Sequence, residues 1–125
     1  MRLLLDTHIV YWYFYDDARL PKGSLEIMQS AQSVYVSSVA LWEIAIKVKT
    51  GKMQGDPEEL VRRMDESGLL ELPVNFAHAV EVTRLPLLHG DPFDRMLVAQ
   101  AVSESLFLIT ADSQLPQYSN LVIRV

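Results

Sequence analysis

The chain has 125 residues, a formal net charge of −5 and no cysteine. That length suits one domain spanning residues 1–125, which can bury roughly two-thirds of its unfolded-chain surface. Without cysteine, disulfides and zinc–thiolate centres are excluded, and the acidic balance lacks the basic footprint of non-specific nucleic-acid binders. No run approaches the roughly 20 apolar residues of a membrane span. The opening MRLLLDTH places Asp6 and His8 where a leader peptide would stay apolar. A soluble cytoplasmic protein with no membrane partner is expected, and the missing disulfides fit a reducing compartment.

In chain order, RLLLD reads as a buried strand, short and apolar and ended by a polar residue. THIVYWYFY follows as a helix capped by Asp6 or Thr7. DDARLP reads as a loop, with Pro21 opening a helix through GSLEIMQSAQS, and VYVS as a β-branched strand. SSVALWEIAIKVKTG predicts a long amphipathic helix ending at Gly51, and DPEELVRRMDESG a polar helix with Pro57 in its first turn. LLELPV predicts a third strand, and NFAHAVEVTRLP a helix that stops before Pro86. GDPFDRMLVAQAVSES is the clearest helix, with Asp91 as N-cap, Pro92 in the first turn and Asp94 at the third position. LFLITA and NLVIRV complete five strands. Strands alternating with helices predict an α/β fold with a parallel sheet covered on both faces.

Four acids stand out in this order. Asp6 and Asp112 follow apolar strand runs, and Glu43 and Asp94 are read as lying near helix starts. In a parallel sheet such positions share one edge, where these folds place their sites. Carboxylates ~5 Å apart at an effective dielectric of 20 repel by about 3 kcal/mol per pair. The pairs among four acids would sum to as much as ~10–20 kcal/mol, which rivals the stability of a whole domain. Such a cluster must hold protons or cations. With no cation in the sequence expected to match it, a hard divalent ion, Mg²⁺ or Mn²⁺, is implied. Each acid also has a plain structural role open to it. Asp6 and Asp91 can cap helices, Glu43 can pair with Lys47 one turn on, Asp94 can serve the helix dipole, and Asp112 can cap a turn into SQLPQY.

Other motifs are absent or weaker. There is no glycine-rich nucleotide loop and no glycine-flanked serine elbow. His8, His78 and His89 show no zinc-ligand pairing, and His8, two residues from Asp6, is the best placed of them. Lys47, Lys49 and Lys52 form the one close basic cluster, readable as a solvated helix end or as phosphate contacts. The five aromatics from Tyr11 to Tyr15 cannot all face one core. Part of that run is left for an interface or, less simply, for base stacking.

Taken together, LLLDTHIVYW, SVALWEIAIKVKTGK, HGDPFDRMLVAQA and LITAD resemble the PIN-domain ribonucleases, and more narrowly the VapC-type toxins of toxin–antitoxin pairs. The resemblance runs from Leu3 to Val125, and HGDPFDRMLVAQA is its most specific part. It implies a three-layer α/β/α sandwich around a parallel sheet. It also implies a Mg²⁺-dependent endoribonuclease, with Mn²⁺ as a substitute, acting on an RNA substrate as a homodimer and neutralised by a cognate antitoxin. Carried over by position, it assigns Asp6, Glu43, Asp94 and Asp112 to the catalytic site, with Asp6, Asp94 and Asp112 as metal ligands. Thr7 and Thr110 become supporting groups beside them. Two alternatives are a metal- or RNA-binding module of the same fold that cleaves nothing, and an aspartyl phosphatase. The latter would call for Asp-x-Asp where this chain has Asp6-Thr7-His8.

Overall fold

A computed structural model describes all residues, 1–125. Its strands are β1 (Arg2–Leu5), β2 (Ser33–Ser37), β3 (Leu70–Leu72), β4 (Phe107–Thr110) and β5 (Val122–Arg124). Its helices are α1 (Thr7–Tyr15), α2 (Ser24–Ser30), α3 (Ser38–Lys49), α4 (Pro57–Glu66), α5 (Phe76–Val82) and α6 (Pro92–Glu104). Short 3₁₀ turns occupy Asp17–Arg19 and Leu115–Tyr118. All strands pair in parallel, in the order β3-β2-β1-β4-β5. This is a three-layer α/β/α sandwich. The order reverses between β1 and β4, the switch point at which open α/β sheets leave a crevice beyond their strand ends.

Strand alternation splits the core in two. Leu4, Leu72, Leu108 and Val122 pack with Leu97, Val98 and Ala101 of α6 on one face. Leu3, Leu5, Val36 and Ile109 pack with Ile9 and Val10 of α1, Ile44 of α3 and Leu60 of α4 on the other. Both faces are covered, which is why the strands read as continuous apolar runs.

Helix boundaries follow local chemistry. Asp6 caps α1, Ser37 caps α3, Asp56 caps α4 and Asp91 caps α6, each accepting from a backbone amide of the first turn. Asn75 and His78 form a capping box at α5, and buried His78 also bonds Glu104 at 2.8 Å, so this histidine is structural. The expected opening of α2 at Pro21 is corrected. The helix begins at Ser24, because Gly23 adopts φ +92° and breaks the path from Pro21. β3 ends at Leu72, before Pro73, which has no amide proton for the ladder.

Candidate acidic active site

The register between β1 and β4 builds the centre of the site. Leu5 is opposite Ile109, and the Asp6 amide continues the ladder by donating to the Ile109 carbonyl at 2.9 Å. Asp6 therefore lies beside Thr110. The Thr110 hydroxyl donates to Asp6 Oδ2 at 2.6 Å, and the Thr7 amide donates to Asp6 Oδ1 at 2.7 Å. Thr110 Oγ1 in turn accepts the Asp112 amide at 3.0 Å, which ties the turn after β4 to the same carboxylate. Thr7 contributes through its backbone. Its own hydroxyl is buried with no hydrogen-bond partner. Asp112 Oδ1 accepts the Gln114 amide at 2.8 Å, so it also serves the turn.

One cavity of about 690 Å³ is lined by Asp6, Glu43, Asp94 and Asp112 together. Asp94 enters from the first turn of α6, whose cap Asp91 accepts the Phe93 and Asp94 amides at 2.9 and 3.1 Å and also lines the cavity. Glu43 enters from the second turn of α3, deeper in its helix than the sequence suggested. It is 5% exposed, with Oε2 held by Lys47 at 2.8 Å and Oε1 buried without a partner. This corrects the expectation that no cation matches the cluster. Lys47 reaches it, because the Glu-to-Lys i,i+4 spacing puts both on one helix face. The pairing is at one edge only, and several carboxylates remain for this one ammonium.

The electrostatics show the strain. Burial, then the carboxylates of Asp6, Asp91, Glu43 and Asp112, push the Asp94 carboxyl from its ordinary 3.8 up to about 7. Burial also raises Asp6, against the pull of the Thr110 hydroxyl and the Thr7 amide toward the ionised form. An oxygen-rich donor set, an orphaned buried Glu43 oxygen and carboxyls pressed toward protonation all fit a divalent cation. Asp6, Asp94 and Asp112 are the residues that could hold it.

His89 is the residue that the sequence undervalued. Its ligating atom, with those of Asp94 and Asp112, falls in a group whose members all lie within 4.8 Å of one another. Its Nδ1 accepts the Asp91 amide at 3.2 Å, so in the neutral ring the proton sits on Nε2. Nε2 is buried, unpartnered and 4.0 Å from Asp94 Oδ2. His89 thus presents a proton rather than a lone pair to the acids. Tyr118 fixes the loop, accepting the His89 amide at 3.1 Å, with its ring edge-on to the imidazole. Arg95 clamps the same loop through the Pro86 and Val82 carbonyls and the Tyr118 hydroxyl. The one sequence signal was the His-Gly-Asp spacing that lets the ring accept the cap residue's own amide. His8, favoured on sequence, is exposed and lines the cavity beside Trp12.

A parallel α/β/α sandwich with an acidic cavity at its switch point defines a class of proteins rather than one activity. The chain belongs to the PIN-domain family, whose match spans residues 3–121. It is 26% identical over 121 residues to "Ribonuclease VapC22" of Mycobacterium tuberculosis, covering 90% of this chain and 88% of that one. Among solved structures, VapBC2 from Rickettsia felis, bound to a DNA fragment from its promoter, superposes with a TM-score of 0.75 at 18% identity over 99% of this chain and 98% of that one. A toxin–antitoxin complex from Klebsiella pneumoniae gives 0.68 at 18% identity, covering 97% and 95%. FitAcB from Neisseria gonorrhoeae gives 0.67 at 15% identity, covering 100% and 97%. At these identities the structural likenesses bear on the fold alone.

Proposed function

We propose that the protein is a metal-dependent endoribonuclease of the VapC toxin type, hydrolysing RNA phosphodiester bonds with Mg²⁺ or Mn²⁺. The observation that carries the proposal is the convergence of Asp6, Glu43, Asp94 and Asp112 on one cavity at the strand switch point. The family membership and the ribonuclease relative support it.

In this reading Asp6, Asp94 and Asp112 hold the cation. When bound, the ion supplies the charge that acidifies a water and offsets negative charge building on the phosphate. Thr110 holds Asp6 in one orientation, and its hydrogen bond works toward the ionised form against the burial that raises this carboxyl. Glu43, steadied by Lys47, presents its free Oε1 as acceptor for the attacking water. The buried Nε2–H of His89, 4.0 Å from Asp94 Oδ2, faces that carboxylate from behind the cavity wall.

A protein partner belongs to the same reading. The solved complexes above include a toxin–antitoxin pair, and this chain carries an apolar groove of Val39, Trp42, Val74, Pro92, Phe93 and Met96 beside the acidic helices, with Trp42 61% exposed. A cognate antitoxin and a homodimer are the assigned partners, and light scattering of the isolated protein tests the second. The cytoplasm is the assigned location. No helix is long and apolar enough to cross a membrane.

The test is incubation of antitoxin-free protein with total RNA in Mg²⁺, Mn²⁺ or EDTA, beside Asp94→Asn. Discrete fragments that need metal and vanish in the variant are expected. No cleavage by folded, metal-loaded protein would overturn the nuclease assignment in favour of a binding module.

A further inference from the structure

The aromatic run of α1 has no part in the chemistry above, yet it lines the same cavity. Helical spacing sorts it into adjacent columns, His8 with Trp12 and Tyr11 with Tyr15. The His8 and Trp12 ring centres are 5.4 Å apart and those of Tyr11 and Tyr15 are 5.3 Å apart. Phe14 is in the core.

The two columns differ in what occupies them. The Tyr11 hydroxyl donates to the Gln54 carbonyl at 2.7 Å and accepts its amide at 3.2 Å. The Tyr15 hydroxyl does the same with Asp56, at 3.2 and 3.4 Å. These bonds pin the loop after α3 to α1 and bring Lys52 and Met53 to the cavity wall. The tyrosines are therefore structural. The exposed His8 ring and half-buried Trp12 make no such bonds, and the Arg19 guanidinium sits 5.4 Å from the Trp12 ring centre.

Charge makes such a surface necessary. The cavity is lined by six acids (Asp6, Asp16, Glu43, Asp91, Asp94 and Asp112) against Arg19, Lys47 and Lys52. Lys47 is already committed to Glu43. General attraction for phosphates, the main source of affinity in basic nucleic-acid binders, is weak here. Stacking on an aromatic face does not depend on net charge, and every base has such a face. The cavity is also far larger than an ion needs and falls within the roughly 300–1,000 Å³ of sites for organic ligands.

We propose that His8, Trp12 and Arg19 form a stacking subsite for an unpaired base of single-stranded RNA, beside the bond that is cut at the carboxylates. Arg19 backs the indole by a cation–π contact and meets a neighbouring phosphate. The subsite rests on the nuclease reading. It makes the enzyme select unpaired over duplex RNA, because a base within a helix has no face to offer.

The experiment uses Asp94→Asn protein, which binds without turnover, and a labelled unstructured oligoribonucleotide against the same strand annealed to its complement. Saturable quenching of tryptophan emission by the single strand alone is expected. It should disappear in Asp94→Asn/Trp12→Phe, although Trp42 still emits, while affinity changes only a few-fold. Trp12→Ala should weaken binding at least ~10-fold and Arg19→Gln several-fold. In the otherwise native enzyme both should raise KM more than they lower kcat. A role confined to packing would move the melting temperature and leave quenching and KM alone, which would overturn the subsite. If wild-type protein cuts RNA while Trp12 stays silent, the subsite falls and the nuclease reading stands. If wild-type protein neither cuts nor binds RNA, the nuclease reading falls first.

Discussion

Replacing Asp94 with Asn should stabilise the metal-free protein at neutral and alkaline pH while removing its activity. The Asp94 carboxyl is displaced from 3.8 to about 7. At 1.36 kcal/mol per pH unit, ionising it in the folded chain costs about 4 kcal/mol. Its side chain is 20% exposed, so solvent screening reduces this to about 2–4 kcal/mol. Between the two values the folded chain holds a proton that the unfolded chain has lost. The stabilising contribution is complete below pH 3.8, falls as pH rises, and is gone above about 7. Asn carries no charge to ionise, so its advantage should be near zero at pH 4 and full at pH 8. For a domain of this size that corresponds to a rise of about 10 °C in Tm. Thermal unfolding in EDTA at pH 4, 6 and 8 reads it directly. Mg²⁺ or Mn²⁺ at pH 8 should raise the wild-type Tm with concentration and the variant's much less. Equal Tm values at pH 8, or a gain that is the same at pH 4, would refute the electrostatic reasoning.

Other expectations follow from single contacts. Thr110→Val removes the donor to Asp6 and the acceptor of the Asp112 amide. It should cost about 1–3 kcal/mol in denaturant unfolding and lower cleavage at least ~10-fold. Gly55 has φ +141°, and a Cβ there would lie 3.0 Å from the Tyr15 ring. Gly55→Ala should therefore lower the urea midpoint by an equivalent of about 1–3 kcal/mol, with the m-value unchanged. Ser105, just past α6, is the one non-glycine residue with positive φ, at 56°. Ser105→Gly should raise Tm by an equivalent of about 0.5–1 kcal/mol without touching activity.

The parallel order of elements was legible because each strand is a short apolar run and most helices announce a cap. The α1 boundaries and the Asp91 cap of α6 follow from residue type alone. The shared cavity of Asp6, Glu43, Asp94 and Asp112 was also legible, since strand ends and the Asp-Pro helix start converge once the sheet is parallel. Tertiary geometry stayed hidden. Nothing local reveals that the loop holding His89 folds back onto α6 through Tyr118 and Arg95. Spacing offered the Glu43–Lys47 pair, but not that Glu43 would be buried with its second oxygen left without a partner. Pro21 gave a false helix start because Gly23 overrides it, a conformational choice that a pattern of apolar residues does not encode.

The central claim is that the carboxylates direct an external nucleophile at RNA. It is tested most directly on an oligoribonucleotide cut by this protein, remade with a single 2′-deoxynucleotide on the 5′ side of the cut bond. A water-driven reaction does not need the 2′-hydroxyl, so metal-dependent cleavage at the same bond should persist, with no cyclic phosphate on either product. Loss of cleavage in the deoxy substrate, with a 2′,3′-cyclic phosphate left on the all-ribose product, would place the nucleophile on the RNA itself and contradict the account.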